Sequence, residues 1–521
     1  MRVTFLGIGC EQLAVSLLAA LARRDGHTVG LAFSAALFDD RYFLRVPALA
    51  RRLDDTAAVL AAIREQRPDV LACSALTNSY RWMLAVAREA KRAMPDLQVV
   101  FGGVHASAVA ERVLADECVD FVCVGEGDVA FPRLLAALER GESPQGVPNL
   151  RYRGGDGRIV AGPQLPFFAD LDSLPHFDKA LWERHLDVAH VYLTMASRGC
   201  PYRCTFCFNN FFVELAAEPR GKYVRQRSAE HVLEELGAAQ ARYGRLRLVN
   251  FQDDVFTVDK DWLAPFLSRY RRAIGAPFRC MSHPRYLDAE VARWLAEAGC
   301  VGVQVGVQSV DDEFKRASLK RYERTGQVER AIANLEQRGV PVQVDHILGL
   351  PDEPADAQQR ALRFYAEHTP TRISVYWATY FPGTEMLARA VAAGSVSTAQ
   401  ADAIADGELI GYHDTARERA SDGGGASHSR ALAAYALAFR LLPLVPRSLR
   451  GRVGQLGIER WPELAVVLAS WLALGAGTLR RAGVEERAYL RHYARGLVRR
   501  ARGRRERSSA LARRARPLLA S

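Results

Sequence analysis

Three cysteines share one eight-residue window, Cys200-Pro201-Tyr202-Arg203-Cys204-Thr205-Phe206-Cys207. With this C-x3-C-x2-C spacing each thiol can present a thiolate to one iron of a cluster, and the rest of the chain is organised around the loop. One thiolate on each of three irons of a [4Fe–4S] cube leaves the fourth iron without a protein ligand, and a small molecule can bind there. The alternatives are structural thiols, or zinc completed by a distant fourth ligand. Zinc ligands usually come as two C-x2-C-like halves, and no second half stands in the chain. Nine cysteines in 521 residues are sparse and odd in number, which argues against a disulfide framework.

Ahead of the window, short apolar runs alternate with helical text. Arg2–Leu6 reads as a buried strand, Gly7-Ile8-Gly9 as a turn, and Leu13, Leu17, Leu18 and Leu21 as one helical face. Gly30–Phe33, Asp69–Cys73, Gln98–Phe101 and Phe121–Val124 read as further strands, with a helix through Trp82, Leu84 and Val86. This alternation predicts a doubly wound parallel sheet over residues 1–145, whose ligands sit beyond the carboxyl ends of its strands. Cys73, Cys118 and Cys123 fall inside the apolar pattern and read as core thiols. A Gly-, Pro- and Asp-rich linker follows over 146–190, with a hairpin turn at Arg153–Gly157.

Beyond the linker, Val191–Ala196 is a strand that runs into the cysteine window. Four more strands end in polar or turn residues: Arg247–Phe251 before Gln252-Asp253-Asp254, Gly302–Val307 before Gln308-Ser309, Val342–Ile347 before Leu348-Gly349-Leu350-Pro351, and Ile373–Tyr376 before Trp377. Carboxyl ends of strands are where parallel α/β barrels build their sites.

The window, with Ser197-Arg198-Gly199 before it and Phe206 ahead of its last cysteine, resembles the cluster loop of the radical S-adenosylmethionine (SAM) superfamily. The resemblance implies a partial (β/α)6 barrel over 191–390, with Cys200, Cys204 and Cys207 on a [4Fe–4S] cluster and SAM on the open iron. It further implies reductive cleavage of SAM to a 5′-deoxyadenosyl radical, with an electron donor such as a flavodoxin or ferredoxin. On the same comparison Asp253, Gln304 and Gln308 contact SAM, Phe206 belongs to the cluster loop and Leu350 packs near adenine. Asp254 reads equally as a helix cap.

The first domain resembles the cobalamin-binding domain that precedes many radical SAM proteins, on Ser74-Ala75-Leu76, Gly102-Gly103-Val104-His105 and Val124-Gly125-Glu126-Gly127-Asp128. Ser74, Leu76, Gly102 and Gly103 are then the expected cobalamin contacts, the small residues admitting its nucleotide tail. The Gly-Glu-Gly segment marks the family more than the cofactor. Asp25–Gly30 spells D-x-H-x-x-G, the motif whose His ligates cobalt in other cobalamin proteins, but that motif belongs after the first strand, where this chain has Gly7–Gln12. Two readings stay open: cobalamin bound with no His beneath it, which we expect, or a domain that has lost the cofactor.

Asn209, Asn210, His283, His346, Tyr376 and Tyr380 could face a substrate, and Cys280 or Cys300 could quench a radical; packing or capping explains each equally well. Arg225, after Tyr223, resembles a further segment of the radical SAM family and, as a lone Arg before a helix, reads equally as structural. After Val391 the text turns helical, to residue 521. Leu464–Leu479 carries no formal charge over 16 residues, short of the ~20 needed to span a bilayer. From Arg480 onward 14 Arg stand against three Glu, which accounts for the whole net charge of +11. An apolar element beside a basic tail suits peripheral contact with an anionic membrane face; a solvated cap is the alternative, and nucleic acid is disfavoured because only Tyr489 and Tyr493 could stack. With no leader-like run at Met1–Leu6, a reducing cytoplasm is expected. The expected activity is radical SAM chemistry, foremost cobalamin-dependent methyl transfer to carbon of a small or lipid-like intermediate, with cobalamin-free cyclisation, coupling or rearrangement as the alternative.

Overall fold

The computed structural model describes residues 1–39, 46–216, 218–219, 221–411, 425–453, 491 and 493–498. Its first sheet holds β1 (Arg2–Ile8), β2 (Thr28–Ser34), β3 (Val70–Ser74), β4 (Gln98–Gly102), β5 (Phe121–Cys123), β6 (Leu150–Arg153) and β7 (Ile159–Ala161) in the order β2-β1-β3-β4-β5-β6-β7. The five strands β1 to β5 are parallel, and β6 and β7 continue the sheet antiparallel. β1 is buried from Val3 to Gly7, as a strand covered on both faces must be. The hairpin expected inside a linker is therefore the edge of this sheet. Turn residues at Gly154–Gly157 were legible, but the pairing partner of Leu150–Arg153 is the distant β5.

After β8 (Tyr192–Thr194) the chain makes a small hairpin from β9 (Ser197–Arg198) and β10 (Arg225–Gln226). A second sheet of six parallel strands then runs β15-β14-β13-β12-β11-β8, with β11 (Val249–Phe251), β12 (Phe278–Ser282), β13 (Cys300–Gln308), β14 (Val342–Leu348) and β15 (Arg372–Trp377). Six strands with interleaved helices make the expected partial barrel. β14 shows which face is inner: Val342, Val344, His346 and Leu348 are buried, and His346 packs edge-on against Tyr365 and Phe439 of the covering helices. Gln343, Asp345 and Ile347 therefore face the barrel interior.

One apolar core joins the two sheets, from Val3 and Phe5 through Trp182 to Tyr192 and Val249. The linker is stitched in by polar contacts too: Trp182 Nε1 donates to Ser16 Oγ at 2.8 Å, and the buried Lys179 pairs with Glu11. The helix Gly425–Leu441 packs on β15 and the helix Ala357–Glu367. Leu464–Leu479 and the arginines from Arg499 onward lie outside the described residues. Tyr493 is buried, accepting a bond from Phe38 N at 2.9 Å, and Arg495 pairs with Asp187 at 2.6 Å. It is thus committed within the chain and does not face a base. Among the described residues no helix is long and apolar enough to cross a membrane.

Candidate active site

The cysteine loop leaves β9 at Gly199, whose φ of +88° belongs to glycine. A Cβ there would stand 2.3 Å from Tyr223 O, so the loop is pressed against the approach to β10. It is also tied down beyond the first cysteine: Thr205 N donates to Leu319 O at 3.2 Å, Thr205 Oγ1 to Ser318 O at 2.9 Å, and Met386 N to Thr205 O at 2.9 Å. Cys204 is buried, and Cys200 and Cys207 are half-buried. Burial pushes the Cys200 and Cys207 thiols up to about 12. Burial also raises Cys204, opposed by the Arg321 guanidinium beside it. Among the described residues no three His, Cys, Asp or Glu side chains converge on a single ion; a cluster with one thiolate per iron asks for no such convergence. A buried cation aimed at one of three neighbouring thiols suits a thiolate-bound cluster.

Phe206 packs into an apolar group with Leu350, Tyr380, Met386, Phe314 and Leu319. Leu350 is buried, and the turn Gly349–Glu353 lines a cavity of about 210 Å³. Gln308 closes β13 with φ +65°, where the register with β14 breaks. A left-handed glutamine at a barrel strand's carboxyl end is the kind of strain that collects at functional sites. Glu353 accepts from Ser309 Oγ at 2.9 Å and Gln358 Nε2 at 2.7 Å, and burial still pushes its carboxyl up to about 7.

Two expected SAM contacts have other partners. Asp253 is fully buried and accepts from Ala196 N at 3.1 Å and from Ser197 Oγ; burial lifts its carboxyl to about 6 against those bonds. It braces the strand that enters the cysteine loop. Its neighbour Asp254 is exposed instead, with the Asn209 amide bonded to its carboxylate. Asp254 caps no helix, since Asp259 does so for the helix Lys260–Ala273. Gln304 lies one layer below the mouth, accepting from Arg279 Nη2 at 3.0 Å and donating to Asp345 Oδ2 at 2.7 Å. Asp345 Oδ1 is buried without a hydrogen-bond partner, and burial raises this carboxyl to about 6. The family comparison marked Gln304 as a SAM contact; the register of β13 with β14 sets it beside Asp345, below the strand end at Gln308.

Of the other polar candidates, Asn209 bonds Tyr223 Oη and Asn210 donates to Glu385 at 3.3 Å. His346 is on the outer face, bonded to Gln358 and Tyr365, and does not face the interior. Tyr380 is core, Tyr376 is half-buried, and Cys280 and Cys300 are buried neighbours.

At the carboxyl edge of the first sheet, Ser74 ends β3 and Gly102 ends β4. Gly103 has φ +88°, and a Cβ on it would sit 2.8 Å from both Ala75 N and Ala75 O. The two loops thus touch backbone to backbone, and Leu76 beside them is 46% exposed. Bare backbone and an uncovered leucine at this edge fit a large, partly apolar cofactor with a nucleotide tail. His27 precedes β2, at the far end of the sheet, buried and bonded to the amino terminus at 3.2 Å.

The Gly-Glu-Gly-Asp segment after β5 has a structural task. Arg198, two residues before Cys200, bonds both carboxylate oxygens of Asp128 at 2.8 and 2.9 Å. Arg225 reaches both oxygens of Glu126 at 2.7 and 2.9 Å and the Phe168 carbonyl at 3.0 Å. Burial alone would raise Asp128; the Arg198 charge outweighs it and holds the carboxyl below its ordinary range. This clamp fastens the cysteine loop to the first sheet's carboxyl edge. Sequence reasoning saw its four members separately; the signal was two acids after a strand end and two arginines flanking the window.

Residues 195–365 match the family model described as the radical SAM superfamily, and residues 15–135 match the B12 binding domain. An uncharacterised methyltransferase of Pyrococcus horikoshii is 26% identical over 375 residues, 70% of this chain and 79% of its own length. The anaerobic magnesium-protoporphyrin IX monomethyl ester cyclase of Rubrivivax gelatinosus is 23% identical over 327 residues, 61% of this chain and 57% of the cyclase. Among solved structures, the cobalamin-dependent SAM radical enzyme OxsB, with aqua-cobalamin and SAM bound, aligns with a TM-score of 0.64 over 98% of this chain and 81% of its own, at 13% identity, a likeness of fold. A radical SAM domain works with a [4Fe–4S] cluster and SAM, and a B12 domain with cobalamin. With a three-thiol loop at the mouth of a partial barrel and a B12-type sheet clamped beside it, the chain belongs to the radical SAM superfamily, in the branch that carries an amino-terminal B12-binding domain.

Proposed function

We propose that this enzyme transfers a methyl group to a carbon of a small biosynthetic intermediate, using cobalamin and radical SAM chemistry together. The observation that carries this is the clamp, which fastens the three-thiol loop to the edge where Ser74, Leu76, Gly102 and Gly103 gather. When bound, the cluster and SAM supply a hydrogen-abstracting carbon radical and cobalamin supplies the methyl group. Cys200, Cys204 and Cys207 hold the cluster. Asp254 and Gln308 take polar ends of SAM, while Phe206 and Leu350 give it an apolar wall. Asp253 and Gln304 act one step back, the first on the entering strand and the second on Asp345. Ser74, Gly102 and Gly103 would admit the cobalamin tail, and the exposed Leu76 beside them would give it apolar contact. An electron comes from a donor of the flavodoxin or ferredoxin class.

The test is retention. After incubation with hydroxocobalamin and desalting, the full chain should keep about one cobalamin, read from its absorbance; none retained would sink this reading in favour of the cobalamin-free alternative of cyclisation, coupling or rearrangement. Gly103→Ala should lose most of that cobalamin. The left-handed φ alone costs an alanine about 1 kcal/mol, and the methyl group forces the two loops apart. Cluster iron should be unchanged, so loss of both cofactors together would mean general unfolding instead.

A further inference from the structure

The loop between the helices Asp312–Leu319 and Thr325–Gln337 carries a buried ion network against the middle thiol. Arg321 Nη1 lies 3.8 Å from Cys204 Sγ, within bonding range for sulfur. The other guanidinium nitrogens are fixed: Nη2 donates to Gly306 O at 2.6 Å and Nε to Glu323 Oε1 at 2.8 Å. Glu323 is held in turn by His283 Nε2, 3.2 Å from its second oxygen, and by Lys315 Nζ, which donates to its carbonyl at 2.9 Å. Tyr202, from inside the cysteine window, stacks on His283 with ring centroids 4.1 Å apart. Arg321, Glu323, Lys315 and His283 are all at most 5% exposed.

The charges in this network do not balance without the thiol. Two buried cations, Arg321 and Lys315, face one buried carboxylate, Glu323; the only other anion on Lys315 among the described residues, Asp312, is 46% exposed in its side chain. A thiolate at Cys204 brings the missing negative charge. A fixed cation bonded to a cluster ligand favours whichever redox state carries more negative charge, which is the reduced one.

We propose that Arg321 tunes the cluster held by Cys200, Cys204 and Cys207, raising its reduction potential, and that Glu323 is the positioning residue that aims the guanidinium and moderates its charge. This rests on those three thiols holding the cluster. The network is buried and bonded within the chain itself, so its effect belongs to the SAM-free protein.

The experiment is a redox titration of the full chain, reconstituted with iron and sulfide under anaerobic conditions without SAM, following the reduced cluster by electron paramagnetic resonance. Arg321→Met should lower the ratio of reduced to oxidised cluster at a fixed poise at least tenfold, a shift of about 59 mV for a one-electron couple. Arg321→Lys should fall between Met and wild type. Glu323→Gln should shift the potential the opposite way, because it removes the charge that moderates Arg321, and this variant carries the test if the Met variant fails to load iron. Unchanged SAM-free potentials, or shifts of both variants in one direction, overturn the proposal; unchanged potentials with weakened SAM binding would make Arg321 a SAM contact only. Failure of the wild-type chain to load four irons would count against the cluster assignment itself.

Discussion

Cys204→Ala should give a folded protein that cleaves no SAM. The substitution removes one sulfur from a buried site, a change of about 1 kcal/mol in stability. Its chemical consequence is far larger. Two thiolates then remain for a cluster that needs three, and the buried Arg321 loses the thiolate it faces. Bound iron should drop to near zero and 5′-deoxyadenosine below detection, by iron analysis and chromatography. Cys118→Ala is the matched control: its thiol is buried in the first sheet's own core and should leave both quantities unchanged. Full turnover by Cys204→Ala would refute the assignment of the loop.

Arg198→Ala should cause a large loss of stability. It strands Asp128, whose side chain is 5% exposed, as a buried carboxylate without its cation, and removing one partner of such a pair costs about 3–5 kcal/mol. Calorimetry should show a lowered transition. The double variant with Asp128→Asn should recover part of the loss, because the stranded charge is gone. The acid dependence follows in sign. Asp128 titrates below its ordinary range when folded, so its contribution is complete above about pH 4 and is lost as pH falls through the lower folded value. Arg198→Ala should lack that part of the acid sensitivity. An unchanged transition temperature would dismiss the clamp as a surface ornament.

Local features were the most legible in the sequence. C-x3-C-x2-C pointed to the cluster loop, apolar runs gave the parallel strands, and the misplaced D-x-H-x-x-G put His27 away from the edge where Ser74 and Gly103 lie. What stayed hidden depended on register and on distant partners. Asp253 and Asp254 are adjacent, and their text does not say which one turns inward to Ala196 and Ser197. His346 and Asp345 are likewise adjacent, and strand parity sends the first under the Phe439 helix and the second into the barrel. Leu150–Arg153 looked like linker because its partner, β5, lies about thirty residues earlier. Arg225 and Glu126 gained meaning only as a pair, 99 residues apart.

On the proposed function one chain uses SAM in two ways, as methyl donor through cobalamin and as radical source at the cluster. The most direct measurement is the product balance from SAM with the reconstituted, cobalamin-loaded full chain and a strong reductant. Both S-adenosylhomocysteine and 5′-deoxyadenosine should form, and omitting cobalamin should remove the first and spare the second. Formation of 5′-deoxyadenosine alone, with or without cobalamin, would contradict the methyltransferase account.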